Sequence, residues 1–146
     1  ANRLPKNKDK KYLIIGSDQV LCINKDKVLG KPLNHKNAIS HLRASSGKLI
    51  DCYTGMCMLQ VDTDNISHKT TITNDKIKFK ELSDDIIERY LLKEKPYQCA
   101  GAVQYEGLGI ALFEKVISDD PNSIIGLPLM ILSNWLIDAG FDLYAN

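Results

Sequence analysis

Three short stretches combine small residues with side chains able to do chemistry. Gly16-Ser17-Asp18-Gln19 follows the apolar run Leu13–Ile15. A carboxylate just after a buried strand can bind Mg²⁺ or activate a water. An acid held in an ordinary Asx turn reads the same way. Gly30-Lys31-Pro32 pairs a residue that lets a ligand near the backbone with a point charge suited to phosphate. The GxxxxGK[ST] spacing is absent, so it is not a P-loop, and a plain surface turn also fits. Cys99 to Gly109 sets three glycines and two alanines around Gln104, Tyr105 and Glu106. Small residues permit close approach, and an amide, an aromatic and a carboxylate can read the edge of a base. A bulged strand pair is the competing reading.

These stretches need elements to position them. Tyr12 to Ile15 reads as a short buried strand by composition. Val20 to Ile23, a turn at Asn24–Lys27 and Val28-Leu29 read as a hairpin that delivers Gly30-Lys31-Pro32 to its end. Asn34 is a cap for a helix in which Ala38, Ile39 and Leu42 share a face, with Gly47 past its end. Lys48 to Val61 reads as a long strand interrupted at Thr54-Gly55. A turn over 62–65 leads to a second long strand, Ile66 to Phe79, whose lysines alternate with Ile77 and Phe79. Ser83-Asp84-Asp85 opens a helix with Ile86, Ile87, Tyr90 and Leu91 on its apolar face, and Pro96 stops it. Ile110 to Ile117 reads as a strand and Asp119–Asn122 as a loop. A last helix starts near Pro128 and ends before Gly140, with Leu132 and Trp135 on its core side. Residues 1–11 have no apolar period and read as the end of a helix plus a linker. This order predicts an α/β or α+β domain around a mixed sheet, without repeats or internal linkers.

Composition narrows the function classes. The chain has 146 residues, 44% hydrophobic and 25% charged, enough for one domain with a core. Its net charge is +1, which gives no case for a nucleic-acid polymer. Residues 1–11 carry five cations against Asp9, so the remainder is net −3. That basic stretch reads as a solvated surface segment. Cys22, Cys52, Cys57 and Cys99 form no CxxC pair, and the three histidines complete no zinc pattern. The first three cysteines sit in apolar surroundings and read as small core residues. A reducing, cytoplasmic setting is expected. The longest apolar run, Leu127 to Leu132, holds a proline and is far too short to span a membrane, and no signal peptide is visible.

Taken in order, the motifs resemble a known family. Ile-Gly-Ser-Asp-Gln, Gly-Lys-Pro, Ala-Ser-Ser-Gly, Tyr-Thr-Gly, Cys-Ala-Gly with Glu-Gly-Leu-Gly, then Asp-Pro-Asn and Gly-Leu-Pro-Leu follow the sequence seen in Maf proteins, which are nucleoside triphosphate pyrophosphatases. The resemblance runs from Tyr12 to the last helix. It implies an α/β domain with a Maf/ITPase-like mixed sheet flanked by helices and a nucleotide-binding cleft. It also implies that Asp18 is the catalytic carboxylate, a proton acceptor beside a divalent metal (Mg²⁺ or Mn²⁺). Lys31 matches the lysine that meets the phosphates, and Gln19 and Glu106 match positions tied to substrate choice. The implied reaction is attack of water on the α-phosphorus with release of pyrophosphate.

The branch follows from Glu106. The dTTP/UTP branch of the family usually has Gln there, whereas this pattern resembles the 7-methyl-GTP branch. N7-methylated guanine is positively charged and presents N1–H and N2–H₂ as donors, which a carboxylate accepts. An aromatic nearby in the sequence, such as Tyr105, could add a cation–π contact. Cleavage of dTTP or UTP, or septum-formation inhibition by partner binding without catalysis, are the alternatives. Family members are often homodimers, and the resemblance carries that expectation. The family's Ser-x-Ser-Pro-Arg-type motif on an N-terminal strand and helix is absent, as is an acidic residue beyond it. The resemblance therefore implies an N-terminally truncated form, impaired in phosphate binding and with added apolar surface exposed.

Overall fold

The computed structural model describes residues 11–62 and 65–145. The expected helix end and linker over residues 1–10 lie outside that range. Five strands and three helices make up the described chain: β1 (Tyr12–Ile23), β2 (Lys27–Leu29), α1 (His35–Ser45), β3 (Leu49–Val61), β4 (Ile66–Phe79), α2 (Asp84–Glu94), β5 (Phe113–Ile117) and α3 (Leu129–Asp138). Short 3₁₀ turns occupy Ala100–Ala102, Leu108–Leu112 and Ser123–Ile125.

The strands form one sheet in the order β2-β1-β3-β4-β5. The expected α/β class holds, but the expected mixed pairing does not: every described pair is antiparallel. Only a few residues separate β1 from β2 and β3 from β4, too few for a parallel crossover. Two further expectations are revised. Gly16–Gln19 is not a strand tip. It lies in the middle of β1, in unbroken register from Tyr12↔Val61 to Ile23↔Ile50. Thr54-Gly55 does not interrupt β3, because both residues pair on either side. The small and polar residues that suggested breaks are accommodated because long flanking ladders hold their backbone extended. The expected strand over 110–117 begins only at Phe113, after a 3₁₀ turn.

Regular alternation sorts the sheet into two faces. Leu21, Ile23, Ile50, Cys52, Ile77 and Phe79 point to the helices and form the main core with Leu42, Ile87 and Leu91. Burying each such side chain contributes roughly 1.5–3 kcal/mol. Further along the same face, Met56 and Met58 meet Leu132, Trp135 and Leu13 in a smaller cluster. The other face is more open among the described residues: Val20, Ile66 and Ile72 are exposed on it, while Cys22 and Asp51 near the β2 end are buried. Cys57, expected in the core, lies on this face and is half-buried.

Local signals explain the helix ends. The Asn34 side chain accepts from the Asn37 N–H at 2.9 Å, and Ser83 Oγ accepts from the Ile86 N–H at 3.3 Å. Asp84 and Asp85 lie at the positive end of α2. Beyond α1, Gly47 adopts a φ of +67°, the left-handed turn that favours glycine.

β2 covers only Leu21–Ile23 of β1. Among the described residues, no other strand pairs with the Leu13–Val20 edge. Leu29 lies opposite Leu21, so the chain leaving β2 runs toward Val20 and Gln19. That carries Gly30-Lys31 to the open edge.

Candidate active site

The face of β1 that carries Leu21 also carries Gln19 and Ser17. Gln19 Nε2 lies 3.0 Å from Thr54 Oγ1, 2.8 Å from the Ser123 carbonyl and 2.9 Å from the Ile124 carbonyl. Thr54 Oγ1 in turn donates to the Ser123 carbonyl at 2.7 Å. Ser17 Oγ is 2.6 Å from the Gly126 carbonyl and 2.8 Å from that of Gly55. The turn after Asn122 is thus fastened across the sheet. Ser123 Oγ sits against the buried Asp75 carboxylate and 2.6 Å from the Asp120 carbonyl.

Two carbonyl oxygens against Gln19 settle its amide: only the NH₂ can face them. Its two hydrogens are therefore occupied. What Gln19 has left for a ligand is Oε1, an acceptor.

A cleft of about 310 Å³ opens beside it, lined by Gln19, Cys99, Gln104, Tyr105, Glu106 and Ile124, with Leu21, Ile77 and Phe113 among its apolar walls. The loop that supplies Glu106 is held at several points. The Gln104 N–H donates to Tyr90 Oη at 3.0 Å, and burial pushes the Tyr90 hydroxyl up to about 12. The Tyr105 ring stacks on Phe113 at 6.0 Å and 28°. Gly101 adopts a φ of +64°, and a Cβ there would meet Leu21 Cδ1 at 2.5 Å. Both the left-handed φ and the close approach to Leu21 favour glycine there.

Lys31 is exposed, on a segment laid along the same loop. The Gly101 N–H donates to the Gly30 carbonyl at 3.1 Å, and the Leu33 N–H to the Tyr97 carbonyl at 2.9 Å. His35 braces the junction, with Nδ1 3.0 Å from Tyr97 Oη and Nε2 2.9 Å from the Glu88 carboxylate. Cys99 registers the charges around it. Burial and the Glu106 carboxylate raise its thiol above the ordinary value, while Lys31 pulls it down and Glu94 adds a smaller push upward. Cys99 and Glu106 line the same cleft, and the thiol feels the opposing charges of Glu106 and Lys31.

Asp18 is placed elsewhere. Gln19 and Ser17 face the helical side, so Asp18 faces the open side. It is exposed, and its Oδ1 accepts from the Gln19 N–H at 2.9 Å. A shallow hollow formed by Gly16–Asp18, Gly55–Cys57, Thr70 and Thr71 surrounds it. The structure thus brings Gln19, Glu106 and the Lys31 segment together, and sets Asp18 across the strand from them. Among the described residues, no three His, Cys, Asp or Glu side chains cluster to hold a metal. A Mg²⁺ ion held by one carboxylate and substrate phosphates needs no such cage. A single exposed carboxylate fits that arrangement.

Sequence reading missed Thr54 and Ser123. Thr54 is fully buried between Cys52 and Met56 on an apolar face. A lone hydroxyl at a core-facing position of a strand was the available signal.

An α/β domain with an acceptor-lined cleft beside an open strand edge is a framework for holding a small polar ligand. The Maf-like protein family model matches residues 1–139. The chain belongs to the Maf family. It is 44% identical over 129 residues to the 7-methyl-GTP pyrophosphatase of Nitrosococcus oceani, covering 88% of this chain and 63% of that protein. It is 43% identical over 136 residues to the protein of that name from Vibrio parahaemolyticus, covering 92% and 68%. With the one from Pseudoalteromonas translucida it shares 47% over 132 residues, covering 90% and 64%. The chain therefore spans about two thirds of the length of these relatives. Among the described residues, no helix is long and apolar enough to cross a membrane.

Proposed function

We propose that the chain is a nucleotide pyrophosphatase acting on 7-methyl-GTP, yielding 7-methyl-GMP and pyrophosphate. The observation that carries this reading is that Gln19, whose NH₂ is taken up by two carbonyls, and Glu106 line one cleft, so that the acceptors Gln19 Oε1 and the Glu106 carboxylate are what the two residues have to offer a ligand. The edge of 7-methylguanine offers N1–H and N2–H₂ as donors and carries positive charge, so it suits both acceptors and the carboxylate's charge. Uracil and thymine present one N–H between two carbonyls, which would face a carboxylate unfavourably. The names of the similar proteins support the same choice.

Lys31 then meets the phosphates where the chain leaves β2 along the open edge of β1. A triphosphate extending from a base beside Gln19 passes over this edge toward Asp18. Asp18 would hold the divalent cation, Mg²⁺ or Mn²⁺, whose chemistry is to polarise the attacked phosphoryl group and lower the pKa of water. Asp18 accepts the water's proton, the water oxygen bonds to the α-phosphorus, and the bond to the bridging oxygen breaks as pyrophosphate leaves. Four free cysteines support a reducing compartment, the cytoplasm.

The test is incubation with Mg²⁺ and a panel of nucleoside triphosphates, with products separated by chromatography. The expected outcome is 7-methyl-GMP and pyrophosphate in preference to UMP or dTMP, with the activity lost in Asp18→Asn. Preferential cleavage of dTTP or UTP would overturn the substrate, and full activity of Asp18→Asn the mechanism.

A further inference from the structure

We propose that Thr54 is a positioning residue for base selection: its buried hydroxyl locks the Gln19 amide so that an acceptor faces the cleft. The inference rests on the reading of the cleft as a guanine-type base site. It deepens that reading by naming what sets the polarity of one wall.

Gln19 belongs to β1, Thr54 to the directly paired position of β3, and Ser123 to the turn packed over both. Thr54 Oγ1, the Ser123 carbonyl and Gln19 Nε2 form a closed triangle with edges of 2.7, 2.8 and 3.0 Å. The direction of each bond in it is forced. A carbonyl oxygen only accepts, so the Thr54 proton is donated to Ser123. The hydroxyl that has given its proton can then only accept, and it accepts from the amide. Ile124 supplies another carbonyl at 2.9 Å, so three acceptors share two amide hydrogens. Turning the amide over would set Oε1 against the Ser123 and Ile124 carbonyl oxygens, neither of which can donate. Thr54 itself is fully buried, so water does not replace its hydroxyl.

Without that hydroxyl, two things change together. Nε2 loses one acceptor and meets a methyl group. The Ser123 carbonyl loses the tie that holds its turn to β3. The NH₂ is then held by the two carbonyls alone, that of Ser123 on a turn no longer tied to β3 by Thr54, so the amide is held less firmly and presents its donor to the cleft for a larger part of the time. A base edge that donates loses affinity, and one that accepts gains it.

The test compares Thr54→Val, which keeps the volume, with Thr54→Ser, which keeps the hydroxyl. Calorimetry without metal gives the affinities for 7-methyl-GTP and UTP, and the Gln19 side-chain amide is followed by nitrogen–proton correlation spectra. Thr54→Val is expected to reduce the preference for 7-methyl-GTP over UTP about fivefold, the scale of one neutral hydrogen bond. Its Gln19 amide signals should broaden or shift, with Thr54→Ser close to the original chain in both readouts. Unchanged preference and unchanged amide signals in Thr54→Val overturn the lock, as does equal loss in Thr54→Ser. If Thr54→Val does not fold, the same readouts are taken on Thr54→Ala. If the original chain shows no preference for 7-methyl-GTP, the base-site reading fails. The amide spectra still decide whether Thr54 fixes Gln19, so the two failures are distinguishable.

Discussion

Asp18 and Gln19 are neighbours in the chain and face opposite sides of β1. Gln19 reaches the turn at Ser123 and Ile124, while Asp18 lies exposed on the open side. Two adjacent residues therefore serve two separate surfaces, and their substitutions are expected to separate. Asp18→Asn should abolish hydrolysis and leave the affinity for 7-methyl-GMP within about twofold. Gln19→Leu should weaken that affinity roughly fivefold, and Glu106→Gln about tenfold or more, since bonds to a charged acceptor are the stronger ones. Calorimetry with the monophosphate reads the base site alone. Equal loss of 7-methyl-GMP binding in Asp18→Asn would show that the two surfaces act as one.

The Cys99 thiol reports on its charged neighbours. Burial and Glu106 hold it above the ordinary value, and Lys31 acts in the opposite direction. Thiolate is the species that reacts with iodoacetamide. At a fixed pH near 8, Glu106→Gln should therefore speed alkylation of Cys99, and Lys31→Met should slow it. Peptide mass spectrometry separates Cys99 from Cys57, the other half-buried cysteine. Rates that do not respond to either change would place Glu106 and Lys31 away from the cleft wall.

Gly109 is where the Glu106 loop closes on itself. A Cβ there would lie 2.3 Å from the Gln104 carbonyl oxygen and 2.9 Å from Val103 Cγ1. The Gln104 backbone is held by Tyr90 and cannot move aside cheaply. Gly109→Ala is expected to cost about 1–3 kcal/mol of stability, as overpacking does. It should also displace Glu106 and so lower 7-methyl-GTP turnover by about tenfold to 10²-fold, the scale of an ångström of misplacement. Urea titration and initial rates check the two effects. A stable variant with the original rate would mean that the loop absorbs the methyl group.

Much of this was legible in the residues. Asn34, Gly47, Ser83 and Pro96 mark helix ends through local chemistry, and the structure places those ends where they do. The core faces of β3 and β4 follow from alternation. What local reading misjudged was continuity: Gly16–Gln19 and Thr54-Gly55 carry weak strand propensity, and long-range pairing overrode it. Of the candidate site, Gln19 and Glu106 line one cleft, and their role in substrate choice is part of the proposal. The separation of Asp18 from them was not legible. It depends on β1 running straight through, since a strand that ended at Gly16 would leave both side chains free to turn one way.

Asp120 anchors α3 from outside the helix. Its Oδ2 accepts from the Met130 N–H at 2.7 Å and its Oδ1 from the Asn122 N–H at 3.2 Å, with 3% of the residue exposed. Pro128 precedes the helix and offers no side-chain cap, so the carboxylate meets the helix N-terminus in its place. Asp120→Ala should cost about 2–3 kcal/mol, the range for charge-assisted bonds. Trp135, the one tryptophan, packs with Leu132 on the smaller cluster and is the natural probe. Its emission should shift to longer wavelength at lower urea than in the original chain. Asp120→Asn, which keeps one acceptor, should fall between the two.

His41 sets an acid limit on stability. It is half-buried on α1, its Nδ1 is buried without a hydrogen-bond partner among the described residues, and burial first and Lys27 second lower it from 6.5. The folded chain thus binds this proton less tightly than the unfolded chain does. Where the unfolded state holds more protons, stability rises with pH. The contribution is complete above about 6.5 and is lost as pH falls from there through the lowered folded value. His41→Leu removes the titration while keeping an apolar stem on the helix. The melting temperature of His41→Leu minus that of the original chain should be steady between pH 7.5 and 8.5 and should grow as pH falls below 6.5. Carboxylates elsewhere affect both chains alike and cancel in the difference. Lys27→Met should shrink the acid loss, because it removes the second cause of the depression. A difference that stays flat to pH 5 would mean that His41 is protonated as easily in the fold as in the open chain.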